Sequence, residues 1–330
     1  MTYRIAATSG VAALAVIGLA AVTACSSSSS STPSAPASTG AASASASASG
    51  GASNPLSGGS GGSGSVVIGS ANFPENEVLA EVYALALQKK GVRVTTKLNI
   101  GAREVYYPQV EKGAISIIPE YNGNLLAVEV DKTSNAKTTA QVNAALAAKL
   151  PSSLTVLNSA PAQDSDSVTV TAATAAKYHL KTIADLKPYA SGMVLGGPPE
   201  WKTRSDGVPG LKANYGLTFK AFDPLDTSGP ITLSALQSGK VQAADVFTTT
   251  PQIVTDKLVS LADPKFNFAA QNVIPLVYKP ALTPTISATL NAIDAKLTTQ
   301  ALLQMDNAVI TEKANYTTVA EGFLQSIGMG

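Results

Sequence analysis

Apolar and polar positions alternate along this chain with two different periods, and the switches between them mark out strands and helices in turn. Val66-Val67-Ile68 is a short apolar run closed by Gly69-Ser70, the signature of a buried strand. Behind it Val78, Leu79, Val82, Leu85 and Ala86 recur at helical spacing and predict a helix over about 75–90. Asn72 is its predicted N-cap, with Glu75 three residues on as the capping-box partner. Lys89 and Lys90 suit its C-terminal dipole, and Gly91 ends it. Residues 93–100 alternate as a half-buried strand, 104–112 read as a short helix ended by Gly113, and 114–118 as a strand stopped by Pro119. The alternation returns with strands at 167–171, 193–195, 217–222, 241–247 and 273–278. Helices are expected at 207–215, at 232–238 and from about Thr283 onward. Strands and helices in alternation predict an α/β fold. About 265 residues from Val66 onward suit two lobes of ordinary size. Open α/β sheets bind ligands beyond the C-terminal ends of their strands. Those ends are residues 69–72, 119–123, 196–200 and 247–250, so a cleft between the lobes is expected there.

The first 65 residues have a different pattern. An apolar stretch from Val11 to Val22, interrupted by one glycine, follows the single basic residue Arg4. Thr23 and Ala24 precede Cys25, the only cysteine in the 330 residues. A run of about a dozen apolar residues is short for the ~30 Å of a bilayer core. It fits a secretory signal peptide over residues 1–24, and the small residues before Cys25 resemble the lipobox of bacterial lipoproteins. Cys25 is therefore the expected lipidation site, and the expected location is the extracytoplasmic face of a cell membrane. Residues 25–65 are almost entirely Ser, Ala, Gly, Thr and Pro, and no charged residue occurs between Arg4 and Glu75. Such a segment has too little apolar side chain to offset ordering, and it reads as a linker with a root-mean-square reach of roughly 35 Å.

Charge and composition remove several classes. The chain carries 23 basic and 22 acidic residues, and loss of Arg4 with the leader makes them equal. No basic patch or run is present, which disfavours nucleic acid as a partner. Without a second cysteine no disulfide or thiolate metal site is expected, and the single His179 argues against a histidine metal site. His179 reads as a surface residue at a helix end. No catalytic set has persuasive spacing. The Gly-x-Ser-x-Gly pattern falls in the linker, in the stretch that ends Gly62-Ser63-Gly64, and Gly196-Gly197-Pro198-Pro199 lacks the Gly-Lys-Ser/Thr ending and the amide donors of a phosphate loop. No enzyme activity, metal or cofactor is expected.

Three blocks, Gly69-Ser70-Ala71-Asn72-Phe73-Pro74-Glu75, Arg103-Glu104-Val105-Tyr106-Tyr107-Pro108 and Ile118-Pro119-Glu120-Tyr121-Asn122-Gly123, come in this order. Gly196-Gly197-Pro198-Pro199-Glu200-Trp201 and Asp245-Val246-Phe247-Thr248-Thr249 follow. Together they resemble the glycine betaine/choline-binding proteins of osmoprotectant ABC importers, over essentially all of residues 66–330. The resemblance implies a two-lobed type II periplasmic-binding-protein fold that closes on a small ligand and delivers it to a permease driven by a cytoplasmic ATPase. It implies a discontinuous first lobe, residues 66–165 plus 272–330, and a second lobe of residues 166–271. A monomer is expected. A ligand-sensing lipoprotein without a transport role is the alternative, and a secreted enzyme on the same fold is disfavoured.

The family's quaternary ammonium site is a cage of tyrosines, built on cation–π attraction of ~0.5–2 kcal/mol per ring. Tyr121 matches one cage position. The other three are replaced, where Asp164-Ser165-Asp166-Ser167, Thr232-Leu233-Ser234-Ala235-Leu236 and Phe268-Ala269-Ala270-Gln271 stand in place of tyrosine-bearing stretches, leaving Asp166, Leu233 and Gln271 there. The expected site is then Tyr121, Phe73 and Trp201 as walls, with Asn72, Gln163, Asp164, Asp166 and Gln271 as hydrogen-bonding groups. Arg103 or Arg204 pairs a ligand carboxylate, and Thr248 and Thr249 close the far side. Other readings stay open: Arg204 as a loop salt bridge, Trp201 as a cover of the lobe interface, Asp166 as a cap, Tyr106 and Tyr107 as helix packing. This composition suits a polar zwitterion or functionalised amine better than a bare trimethylammonium.

Overall fold

The computed structural model describes residues 65–330. The expected leader over residues 1–24, the expected lipidation site Cys25 and all of the expected linker but Ser65 lie outside the described residues. Ten strands form two five-stranded sheets. The first contains β1 (Val66–Gly69), β2 (Val94–Lys97), β3 (Ile117–Tyr121), β4 (Leu154–Val156) and β10 (Val273–Tyr278), in the order β2-β1-β3-β10-β4. The second contains β5 (Val168–Thr171), β6 (Val194–Gly197), β7 (Ala221–Pro224), β8 (Ala243–Asp245) and β9 (Leu258–Ser260), in the order β7-β6-β8-β5-β9. In each sheet the early crossovers are parallel and a returning strand is antiparallel. The result is two α/β lobes.

The chain passes between the sheets twice, after β4 and after β9, and the two passages lie side by side. Ala160 N–H donates to the Val273 carbonyl at 2.8 Å, Val273 N–H to Ala162 at 3.1 Å, and Asp164 N–H to Gln271 at 3.1 Å. This antiparallel pair joins the lobes.

Helix α1 (Pro74–Lys89) buries Val78, Leu79, Val82, Leu87 and their neighbours against the first sheet and the C-terminal helices. Burial of each such side chain contributes about 1.5–3 kcal/mol. Pro74 at its first turn lacks an N–H that no helical partner would have used. Asn72 does not cap it. Phe73 holds the N-cap position without a side-chain bond, and Asn72 is exposed. Asn76 instead reaches back, accepting from the Ala71 N–H at 2.7 Å and donating to the Pro119 carbonyl at 3.0 Å. Glu75, expected in a capping box, is buried.

Pro119 does not stop its strand either. β3 runs on to Tyr121 because Pro119 stands directly opposite Pro275 of β10. In an antiparallel ladder every second opposed pair exchanges no bonds, so two prolines facing each other cost the pair nothing. Gly196-Gly197, expected in a loop, likewise end β6, and β7 begins at Ala221 rather than 217. Helix α2 (Arg103–Glu111) ends before Gly113, whose φ of 75° favours glycine. His179 lies exposed as the left-handed cap of helix Ala172–Tyr178. Among the described residues no helix is long and apolar enough to cross a membrane.

Candidate functional site

Alternation along β3 sends its last two residues to opposite faces of the sheet. Glu120 points toward α2, where its carboxylate accepts from Arg103 Nε and Nη2 at 2.9 Å each. The Tyr106 hydroxyl donates to it at 2.7 Å and the Tyr121 N–H at 2.9 Å. Four donors satisfy this fully buried carboxylate, and Arg103 meets it through Nε and Nη2. Tyr121 points toward α1, and its hydroxyl donates to Glu75 Oε1 at 2.5 Å. Burial, with Asp306 beside it, holds Glu75 well above the usual carboxylate range, and burial pushes Asp306 up to about 7. Glu75 Oε2 and Asp306 Oδ1 are both buried with no hydrogen-bond partner found among the described residues.

The second sheet supplies the opposite wall. Phe247, just past β8, meets Phe73 edge to face with centroids 5.1 Å apart, and Phe73 meets Tyr121 at 5.9 Å. Arg204 places Nε and Nη2 on Glu104 of α2 at 3.0 and 2.9 Å, and the Ser205 hydroxyl donates to the Ala127 carbonyl at 3.0 Å. These contacts hold residues 204 and 205 of one lobe on the other. At the junction Asp164 Oδ1 accepts from Thr248 Oγ1 and the Thr249 N–H, both at 3.1 Å. Asp166 Oδ2 accepts from Asn124 Nδ2 at 2.7 Å. Burial, then the neighbouring Glu75, raises Asp164 well above the usual carboxylate range. Behind Asp166 lie the buried carboxyls of Asp245 and Asp206. Burial, with Asp166 nearby, raises Asp245 well above its usual range and Asp206 to about 6.

A cavity opens between these walls, with about 540 Å³ of space including its mouth. Of the residues expected from sequence, Asn72, Phe73, Arg103, Tyr121, Asp164, Asp166 and Arg204 line it together. Trp201 does not. It is fully buried in the second lobe's core, stacked on Phe268 with centroids 5.9 Å apart. Gln163 is exposed, and its backbone N–H donates to Thr299 Oγ1 at 3.1 Å. Thr248 and Thr249 stand behind Asp164 rather than on the cavity wall. Gln271 forms an amide pair with Asn124, accepting from its N–H at 3.0 Å, and faces a neighbouring cavity with Asn267 and Asp206. Leu233 packs in an apolar cluster with Leu236, Val241 and Leu258. Arg103 and Arg204, expected to meet a ligand carboxylate, are each engaged by a glutamate. Phe247, Tyr106, Asn124 and Glu200 line the cavity without having been singled out as site residues. For Phe247 a signal existed, since it begins one of the strand-end loops.

Two α/β lobes meeting over an aromatic, carboxylate-lined cavity have the form of a solute-binding protein. Residues 64–326 match the family described as the substrate binding domain of ABC-type glycine betaine transport system, and the chain belongs to that family. It is 26% identical over 276 residues to the glycine betaine-binding protein YehZ of Escherichia coli (strain K12), covering 80% of this chain and 90% of that one. It is 23% identical, over 80% of this chain and 48% of the other, to the ergothioneine transport permease/ergothioneine binding protein EgtU of Helicobacter pylori (strain G27). Among solved structures, a glycine betaine/carnitine/choline ABC transporter protein superposes with a TM-score of 0.63 at 23% identity, over 80% of this chain and 99% of that chain. That likeness fixes the type II binding-protein fold.

Proposed function

We propose that this chain captures a small osmoprotectant-like quaternary amine or related zwitterion, of the glycine betaine/choline class, and hands it to an ABC permease powered by a cytoplasmic ATPase. The observation that carries the reading is the cavity whose walls come from both lobes: Phe73 and Tyr121 on one side, Phe247 and Arg204 on the other. Aromatic faces attract a cation that cannot donate hydrogen bonds. Closure between lobes buries most of a small ligand's surface. The ligand contacts belong to Asn72, Phe73, Arg103, Tyr121, Asp164, Asp166 and Arg204, with Phe247 added. Thr248, Thr249 and Gln271 hold that set in place, and the role is binding rather than turnover.

In this reading the lobes are residues 66–165 plus 272–330 and residues 166–271. The protein works as a monomer, tethered outside the cell membrane by a lipid on Cys25 after removal of residues 1–24, with the uncharged segment up to Ser65 as its leash. Labelled fatty acid is expected on the native chain and absent from Cys25→Ser. Label persisting in that variant overturns the anchor. For the transport role, deletion of the gene is expected to abolish high-affinity uptake of labelled amine. Uptake should return with the wild-type gene and not with Tyr121→Ala. Undiminished uptake in the deletion strain refutes the role.

A further inference from the structure

A second cavity, with about 630 Å³ of space including its mouth, lies beside the first and shares only Asn124 with it. Its walls also come from both lobes. Lys132, Asn135 and Lys137 stand between β3 and β4 of the first sheet, and Ser205 and Asn214 between β6 and β7 of the second. Part of the wall is a set of amides bonded in series. Asn214 Nδ2 donates to Asn267 Oδ1 at 2.8 Å, and Asn267 Nδ2 to the Asp206 carbonyl at 2.6 Å. Gln271 Nε2 donates to Asn124 Oδ1, and Asn124 Nδ2 to Asp166 Oδ2 at 2.7 Å. An amide –NH2 has two hydrogens, and each of these spends one, so each keeps one N–H to give. Asn267 and Gln271 are almost fully buried, which fixes the wall. Lys137 is fixed as well. Its carbonyl accepts from the Ala270 N–H at 2.9 Å, and its Nζ donates to the Phe266 carbonyl at 2.6 Å. Lys132 makes no hydrogen bond or salt bridge among the described residues, and Glu129 of an adjoining cavity feels its charge. Among the described residues the one acid lining this second cavity is Asp206, and both its carboxyl oxygens are buried. Burial, with Asp166 nearby, raises it to about 6.

We propose that this second cavity binds a small oxyanion, held by Lys132, Lys137 and the spare amide N–H groups, and that the anion clamps the two lobes together. Unspent donors outnumber unspent acceptors in the lining, which suits a group with accepting oxygens and no hydrogen to give. Asp206 opposes the anion least when it is neutral, near or below pH 6. An occupant that touches both lobes favours the arrangement in which they meet. The solute cavity has walls from the same two lobes, so the two affinities are linked, and each ligand strengthens the other by the same factor. The anion site stands apart from the proposed function. The linkage rests on that reading.

Titration calorimetry of the full chain at pH 6 tests both, in a cationic buffer with chloride as counter-ion and at constant ionic strength. Inorganic sulfate is the first probe and citrate the second, so that inorganic and carboxylate sources are compared. One saturable anion per chain is expected. Lys132→Ala and Lys137→Ala are each expected to weaken it at least fivefold. Lys137→Ala also removes the bond to Phe266, so if that variant fails to fold, Lys132→Ala decides. An anion affinity that Lys132→Ala leaves unchanged puts the anion elsewhere, on the arginines of the first cavity, and overturns the site. No saturable binding of either probe overturns it as well. With sulfate at saturation, choline affinity is expected to rise at least threefold in the wild-type chain and not in Lys132→Ala. Sulfate that binds without changing choline affinity overturns the linkage and leaves the anion site standing. Choline that binds neither with nor without sulfate overturns the solute reading and the linkage together, while the anion titration still judges the site.

Discussion

Tyr121 carries two duties that a single substitution separates. Its ring faces the cavity, and its hydroxyl is the donor to the buried Glu75. Tyr121→Phe keeps the ring and leaves Glu75 Oε1 without that bond. A buried acceptor stripped of its donor costs about 1–3 kcal/mol. Chemical denaturation is therefore expected to show a loss of that size, while ligand affinity changes less than about threefold, under 0.7 kcal/mol. A large affinity loss with unchanged stability would reverse the assignment. Tyr121 and Asn72 were legible in the sequence because they sit at strand ends, where an open α/β sheet presents its ligand groups. Trp201 was not, because a large aromatic near a strand end suits a core as well as a cleft. Its stacking partner Phe268 is remote in sequence. A salt bridge at Arg204 was an open reading, but its partner Glu104 lies 100 residues away and could not be named from the sequence.

At the scale of elements, the turn from β3 into the short helix Asn122–Asn124 sets where Tyr121 and Asn124 stand. Gly123 makes that turn possible. A Cβ there would lie 2.4 Å from the Ala270 carbonyl oxygen and 2.8 Å from Gln271 Nε2. The first of these is backbone, on the passage that returns from the second lobe to the first. Gly123→Ala is expected to destabilise by about 1–3 kcal/mol, the usual cost of overpacking. It should also weaken ligand binding, because the displaced Gln271–Asn124 pair supports Asp166. Urea unfolding with a parallel titration checks both, and an alanine variant with wild-type midpoint and affinity contradicts the account. Most elements were readable from periodicity: α1, α2 and β10 fall where the apolar spacing put them, the last at both ends. Strand ends were less so. β3 passes through Pro119 only because Pro275 lies opposite, and that register is decided by a strand more than 150 residues away.

The whole molecule stores an unusual set of buried acids. Glu75, Asp164, Asp245 and Asp294 are held well above their usual range chiefly by burial, Asp206 stands at about 6 and Asp306 at about 7. A carboxyl whose folded pKa exceeds its unfolded value of roughly 4 binds more protons in the folded state. Its stabilising contribution is complete below about pH 4 and is lost as pH rises through the folded pKa. Glu104, lowered by Arg204 against its own desolvation, acts in the opposite sense at the acid end. The midpoint of thermal unfolding is therefore expected to be higher at pH 5 than at pH 8. Each kcal/mol is worth about 2–4 °C in a chain of this kind. Asp306→Asn should flatten the dependence between pH 5 and 8. A midpoint that rises over that interval refutes the burial account.

The two lobes, their paired crossings and the cavity between them make sense as a device that encloses one solute at a time. Equilibrium dialysis of the full chain with labelled choline is the most direct trial of that claim. One molecule bound per chain is expected at saturation, with affinity reduced about tenfold by Tyr121→Ala, within the roughly five- to thirtyfold that loss of a cation–π wall of about 1–2 kcal/mol gives. Binding that does not saturate, or that Tyr121→Ala leaves intact, would contradict it.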